Sequence, residues 1–160
     1  MFSNQTAASL ATLIVFFSLA VSSTPAHAAD FSGSWQGSSG TVQLFIDGVD
    51  QGTAPCHAFD FNWEQSSFEL KLVRGYWHCG YQLIHDVSEQ VYEIRGSELW
   101  LWGESAGTLT EDSIELLNAR DGQQSFTSFQ LVNSATIIFT SSWSDGFSKF
   151  IVRGTLSRTN

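Results

Sequence analysis

Cys56-His57 and His78-Cys79 form two mirror-image pairs, and thiols beside imidazoles are the side chains of this chain best suited to chemistry. Two thiolates and two imidazoles make a zinc ligand set. Adjacent residues on a strand point to opposite faces, so each pair turns only one of its side chains toward any one ion. The rival is a Cys56–Cys79 disulfide, and the start of the chain favours it. Residues 10–21 read LATLIVFFSLAV and are followed by SSTPAHA. The apolar run is short for a membrane span. With small residues at Ala26 and Ala28, it reads as a secretory leader cut between Ala28 and Ala29. Its opening, MFSNQTAAS, carries no Lys or Arg, and no Cys stands at the cut to take a lipid. The expected product is residues 29–160, a single domain that is secreted or periplasmic. In such a compartment a cysteine pair defaults to a bridge. Closing a loop of about 24 residues stabilises by about 3.5 kcal/mol in the chain-entropy model. No metal and no cofactor is expected. The absence of an Asn-x-Ser/Thr sequon after residue 28 fits a bacterial source.

Residues 56–79 can be folded on paper as one antiparallel hairpin. Phe59, Phe61 and Trp63 alternate with Asp60, Asn62 and Glu64; Phe68, Leu70 and Leu72 alternate with Glu69 and Lys71. The two apolar sets share a face only if paired residue numbers add to an odd value. A directly opposed Cys56 and Cys79 satisfy that parity. The cysteines then fall on the charged outer face. His57 and His78 oppose each other on the inner face, with Arg74 and Tyr76 near them. Four polar groups beside apolar walls of Phe59, Phe61 and Trp63 describe a small-molecule pocket. The same residues also fit a hydrogen-bonded rim, and a bulge at Gly75 reverses every side chain after it.

Aromatic residues are the second resource, with 6 Trp and 13 Phe. In Glu98-Leu-Trp-Leu-Trp-Gly103, Leu99 and Leu101 take one face of a strand and Trp100 and Trp102 the other. Two indoles about 6.6 Å apart on one face make a stacking platform for sugar rings; a strand buried on both faces fits the same pattern. Catalytic signatures are missing: there is no G-x-S-x-G, no H-E-x-x-H, no phosphate loop and no C-x-x-C. His85, Asp86 and Ser88 are triad residue types crowded into one connection, which is not a triad geometry. Asp47, Asp50 and Gly52 lack the alternating acids and closing Glu of a calcium loop. A net charge of −9 argues against nucleic acid and anionic membrane surfaces as partners.

These residues are carried by about ten short strands separated by turn signals, among them Asp47-Gly48, Asp121-Gly122 and Asp145-Gly146. Residues 110–120 fit a strand or a short helix. Such a series is expected to form an all-β, antiparallel up-and-down barrel of about 8–10 strands, with a β-sandwich as the alternative. A barrel spanning an outer membrane needs longer strands with an apolar outer face, and the outer phases here carry Asp60, Glu64, Glu69 and Lys71.

Phe31-Ser-Gly33-Ser-Trp35 resembles the Gly-x-Trp motif that opens the first strand of lipocalins and related calycin barrels. The resemblance implies a tryptophan packed at the closed end of an eight-stranded barrel. It also implies an arginine of the last strand lying over that ring, a place for Arg153 or Arg158, and a lumen for a small apolar ligand. The function expected is a non-catalytic exported barrel that binds a small apolar or amphipathic ligand and does not span a membrane once cut. The alternatives are a saccharide-binding or adhesion sandwich using Trp100 and Trp102, an enzyme with a dispersed site, and a structural envelope protein.

Overall fold

Twelve strands follow one another through residues 29–159, the part of the chain that the computed structural model describes. They are β1 (Gly33–Gly37), β2 (Gly40–Ile46), β3 (Val49–Gln65), β4 (Glu69–Cys79), β5 (Leu83–Val87), β6 (Gln90–Arg95), β7 (Glu98–Leu101), β8 (Glu104–Leu109), β9 (Ser113–Arg120), β10 (Gln123–Asn133), β11 (Thr136–Ser144) and β12 (Ser148–Thr159). The leader and its cut lie outside the described residues. Residues 113–120 form a strand, which settles the choice between strand and helix.

Two strand pairs are halves of longer staves. β1 and β2 meet β3 on one unbroken register, from Gly33↔Trp63 to Gly40↔Cys56. β5 and β6 meet β4 in the same way, from Leu83↔Cys79 to Glu93↔Glu69. With the halves joined, ten antiparallel staves follow in chain order and β12 returns to β1 and β2. The fold is therefore a closed ten-stranded barrel, neither the sandwich nor the eight strands that the lipocalin resemblance implies. Closure leaves no sheet edge exposed. Three turns at one end are two-residue connections with positive φ at both positions: Asp47-Gly48, Trp102-Gly103 and Asp121-Gly122. That geometry suits the right-handed twist of the flanking strands.

The two ends of the barrel differ. At one end, residues 29–32 run back across the opening. The Gln65 amide donates to the Ala29 carbonyl at 2.8 Å, and the Phe31 N–H donates to the Gln65 side-chain oxygen at 3.0 Å. Phe31 is fully buried beneath this lacing. Trp35 is also fully buried; its indole N–H donates to the Phe31 carbonyl, and the Arg158 guanidinium lies 4.5 Å from its ring centroid. Arg158, not Arg153, thus takes the place over the tryptophan. At mid-height the Phe59 ring lies against three glycines: a Cβ on Gly40 or Gly154 would stand 2.7 Å from it, and one on Gly37 3.4 Å. The interior is apolar throughout this half, while ion pairs such as Arg74–Asp60 (3.2 Å) and Lys71–Glu89 (3.0 Å) sit outside. That sidedness is the reverse of a membrane barrel.

The β3–β4 hairpin departs from the register read from its parity. Pairs add to an odd value at Trp63↔Leu72 and again at Cys56↔Cys79, but to an even value from Asn62↔Arg74 to Ala58↔His78. Val73 is an unpaired extra residue on β4 and His57 one on β3, so two compensating bulges flank the middle of the hairpin. The flip that Gly75 was a candidate for occurs two residues earlier. Gly75, Trp77 and Cys79 now face inward and are buried, as is Cys56; Arg74, Tyr76, His57 and His78 face outward. The Cys56–Cys79 disulfide is formed, on the inner face rather than the outer one. Phe68 is not in the hairpin core; it sits in the turn and is 68% exposed.

Candidate functional site

Above the packed half, toward the end carrying the Asp47-Gly48, Trp102-Gly103 and Asp121-Gly122 turns, the lumen opens into a cavity of about 690 Å³. Its floor is a cluster of phenylalanines set by inward positions at one height of three strands. Phe61 of β3 packs 4.9 Å from both Phe129 of β10 and Phe139 of β11, and the last two are 5.2 Å apart. One inward position further down β3, Trp63 meets Phe129 edge-on at 5.3 Å; one inward position toward the open end, Phe59, opposite Trp77, meets Phe139 at 5.6 Å.

One wall is an aromatic belt built from two cross-strand pairs. Trp77 and His85 are directly opposed on β4 and β5, and their rings stack at 5.4 Å with planes 16° apart. Trp143 and Phe150 are directly opposed on β11 and β12 and stack at 5.6 Å, 19° apart. β2 and β3 separate the pairs in the sheet, yet Trp77 and Phe150 touch edge-to-face at 5.7 Å across the inside of the barrel. Burial against Trp77 lowers the His85 pKa from its ordinary value, and Asp86 pulls it back.

The rest of the lining mixes apolar and polar groups. Val87, Leu101, Ala106 and Leu116 supply the apolar surface. The Tyr92 hydroxyl donates to the Gln90 side-chain oxygen at 2.6 Å, and burial pushes its pKa up to about 12. Thr127 lies 3.1 Å, hydroxyl to hydroxyl, from Ser141. Charged groups stand only at the mouth, where Glu104 and Arg120 are exposed. Trp102 overhangs the same rim, 87% exposed and in a left-handed backbone conformation (φ 53°) that a bulky residue rarely adopts.

Of the expected pocket residues, Phe61 lines the cavity, and Phe59 and Trp63 are buried in the core on either side of it along β3. His57, Arg74, Tyr76 and His78 are together, but on the outside. The histidine rings meet edge-on at 5.8 Å, and Arg74 pairs with Asp60 and lies 5.7 Å from the Tyr76 ring. The bulge at Val73 is the physical reason: it turns Gly75 and Trp77 inward and keeps a guanidinium and an imidazole in water. The Trp100–Trp102 platform is likewise split. Trp100 lies on the outer face under Arg95 (4.3 Å), its N–H donated to Glu98, while β7 ends at Leu101 and Trp102 belongs to the turn. Among the described residues no cluster of three or more metal-ligating side chains occurs. Trp77, His85, Trp143 and Phe150 were not singled out together by the sequence. Their signal was the alternation Phe139, Ser141, Trp143 on β11 against Phe150, Val152 on β12.

No family model and no curated protein matches the chain. Among solved structures it is similar to the S-type phycobiliprotein lyase CPES from Guillardia theta, with TM-score 0.54, 10% identity, and 81% of this chain and 89% of that chain covered. It also matches a structure described as EF1p2_mFAP2b bound to DFHBI (TM-score 0.45, 10% identity, 80% and 93% covered). A third match is a redesigned β-barrel, b11L5F_LGL (TM-score 0.40, 14% identity, 81% and 91% covered). The likeness to the lyase is one of fold: a β-barrel of the same general build.

Proposed function

We propose that this chain is an exported, non-catalytic barrel that holds one small apolar or amphipathic molecule in its lumen. The observation that carries the reading is the asymmetry of the barrel. One end is laced shut by residues 29–32, and the other opens onto a cavity of about 690 Å³, within the usual range of about 300–1,000 Å³ for small-molecule sites. Apolar walls with a few fixed hydrogen-bonding groups are the make-up of such a site. Binding rather than catalysis is supported by the state of the interior polar groups: Tyr92 with Gln90 and Thr127 with Ser141 are engaged with each other, and the carboxylate and guanidinium of the lining stand in solvent. Export is supported by the disulfide and the leader-like first 28 residues.

Titration with the solvatochromic dye Nile red tests the reading. The wild type is expected to bind one equivalent with a blue-shifted emission. Ala106→Trp, which fills the wall of the cavity, is expected to weaken binding by at least about tenfold. Equal binding by the two proteins contradicts a luminal site. N-terminal sequencing of the exported protein is expected to start at Ala29; a protein that keeps residues 1–28 and stays in the cytoplasm contradicts the export reading.

A further inference from the structure

We infer, resting on the luminal reading above, that the occupant is a planar conjugated molecule rather than a flexible acyl chain. The cavity offers faces for flat rings. Trp77 with His85 and Trp143 with Phe150 are pre-stacked by direct cross-strand opposition, and the two stacks are joined edge-to-face at 5.7 Å. The Phe61, Phe129, Phe139 floor presents three more rings within about 5 Å of one another. Aromatic side chains carry a negative face and a positive edge, and favour a flat π-system over aliphatic bulk of the same area. An acyl chain gains nothing from this beyond burial, which leucines would supply equally.

The hydrogen-bonding groups are distributed in the same sense. A carrier of acyl chains needs its polar groups where the single head group lies. Here they occur on different walls below the rim: the Gln90 amide with Tyr92 on β6, and Thr127 on β10. That arrangement serves carbonyl or N–H groups along the edges of an extended flat molecule. Charged groups of the lining are confined to the mouth, at Glu104 and Arg120, so the conjugated core is uncharged and any ionised substituent stays in water.

The test compares Nile red, a neutral planar probe, with palmitate, an acyl probe, on the wild type and on Trp77→Leu/Phe150→Leu. Wild-type protein is expected to bind Nile red, with palmitate failing to displace it. The double variant is expected to lose about tenfold in Nile red affinity, the sum of two ring contacts. Thermal unfolding verifies that the variant is folded. A measurement on the wild type needs no variant: nuclear Overhauser contacts are expected between the dye rings and the indole protons of Trp77 and Trp143. Palmitate that binds and displaces the dye, a double variant that binds as well as the wild type, or dye contacts that avoid both indoles would each overturn the planar class while leaving a luminal site standing. Failure of both probes to bind overturns the luminal reading as well.

Discussion

At the scale of single residues, three positions report most directly on the structure. His85 is exposed overall but stacked on Trp77, and the desolvation this brings lowers its pKa, with Asp86 opposing. Its folded pKa lies below the usual 6.5, so the unfolded chain takes up the proton first. Its contribution is whole above 6.5 and is lost as pH falls through 6.5 toward the lower folded value. Proton NMR is expected to give a His85 midpoint below 6.5. The fall in urea midpoint between about pH 7 and about pH 5 is expected to shrink in His85→Gln. Arg158 caps Trp35 and donates to the Asp30 carbonyl at 2.8 Å. Arg158→Ala is expected to cost about 1–3 kcal/mol in chemical denaturation. Gly154 leaves room for the Phe59 ring, so Gly154→Ala forces a close-packed aromatic to move. It is expected to cost about 1–3 kcal/mol, and unchanged stability would mean the ring does not sit there.

At the scale of elements, the β3–β4 hairpin shows both what the sequence carries and what it hides. Alternation placed Phe59, Phe61 and Trp63 inside, and the disulfide expected from two exported cysteines agreed with the parity of the hairpin; those residues are inside and Cys56 does oppose Cys79. Parity was tested only at the two ends of the hairpin, where the register is odd. Two bulges that cancel each other are invisible to such a test. The signal that was there is Leu72-Val73 followed by Arg74, where strict alternation would bury a guanidinium. The same limit applies to Trp100 and Trp102, whose shared face requires the strand to continue to Gly103, while a two-residue turn ends it at Leu101. The closed end and its arginine were legible only through the resemblance to lipocalins: Trp35 meets Phe31 four residues away, but Arg158 reaches it from the last strand, a contact no local pattern shows. Deleting Val73 removes the bulge together with its extra residue and leaves Arg74 opposite Asn62 and Gly75 opposite Phe61, so every later side chain keeps its face. That variant is expected to keep cooperative unfolding, and loss of cooperativity in chemical denaturation would contradict this register. Phe31→Ala unseats the segment that laces the closed end, and is expected to cost about 3–5 kcal/mol.

At the scale of the whole molecule, ten staves closed in chain order make a cylinder with two unlike halves. Fully buried side chains such as Trp35, Trp63, Leu99 and Ile137 fill one half, which supplies the stability. The other half spends that stability on an unfilled lumen, whose walls would collapse or unfold without the rigid floor of Phe61, Phe129 and Phe139 below. The disulfide joins β3 to the last residue of β4, beyond the Phe59↔Trp77 pair toward the open end. Replacing both cysteines by serine is expected to cost about 3.5 kcal/mol. A molecule built this way is expected to be most stable when the lumen is occupied, since a ligand that binds only the folded state adds its binding energy to the fold. Native mass spectrometry of the protein isolated from its own source, incubated with an organic extract of the same cells, tests the central claim most directly. The expected result is a one-to-one complex with a small molecule that is released on denaturation and is lost in Ala106→Trp. A protein that shows only its own mass before and after incubation contradicts a luminal ligand.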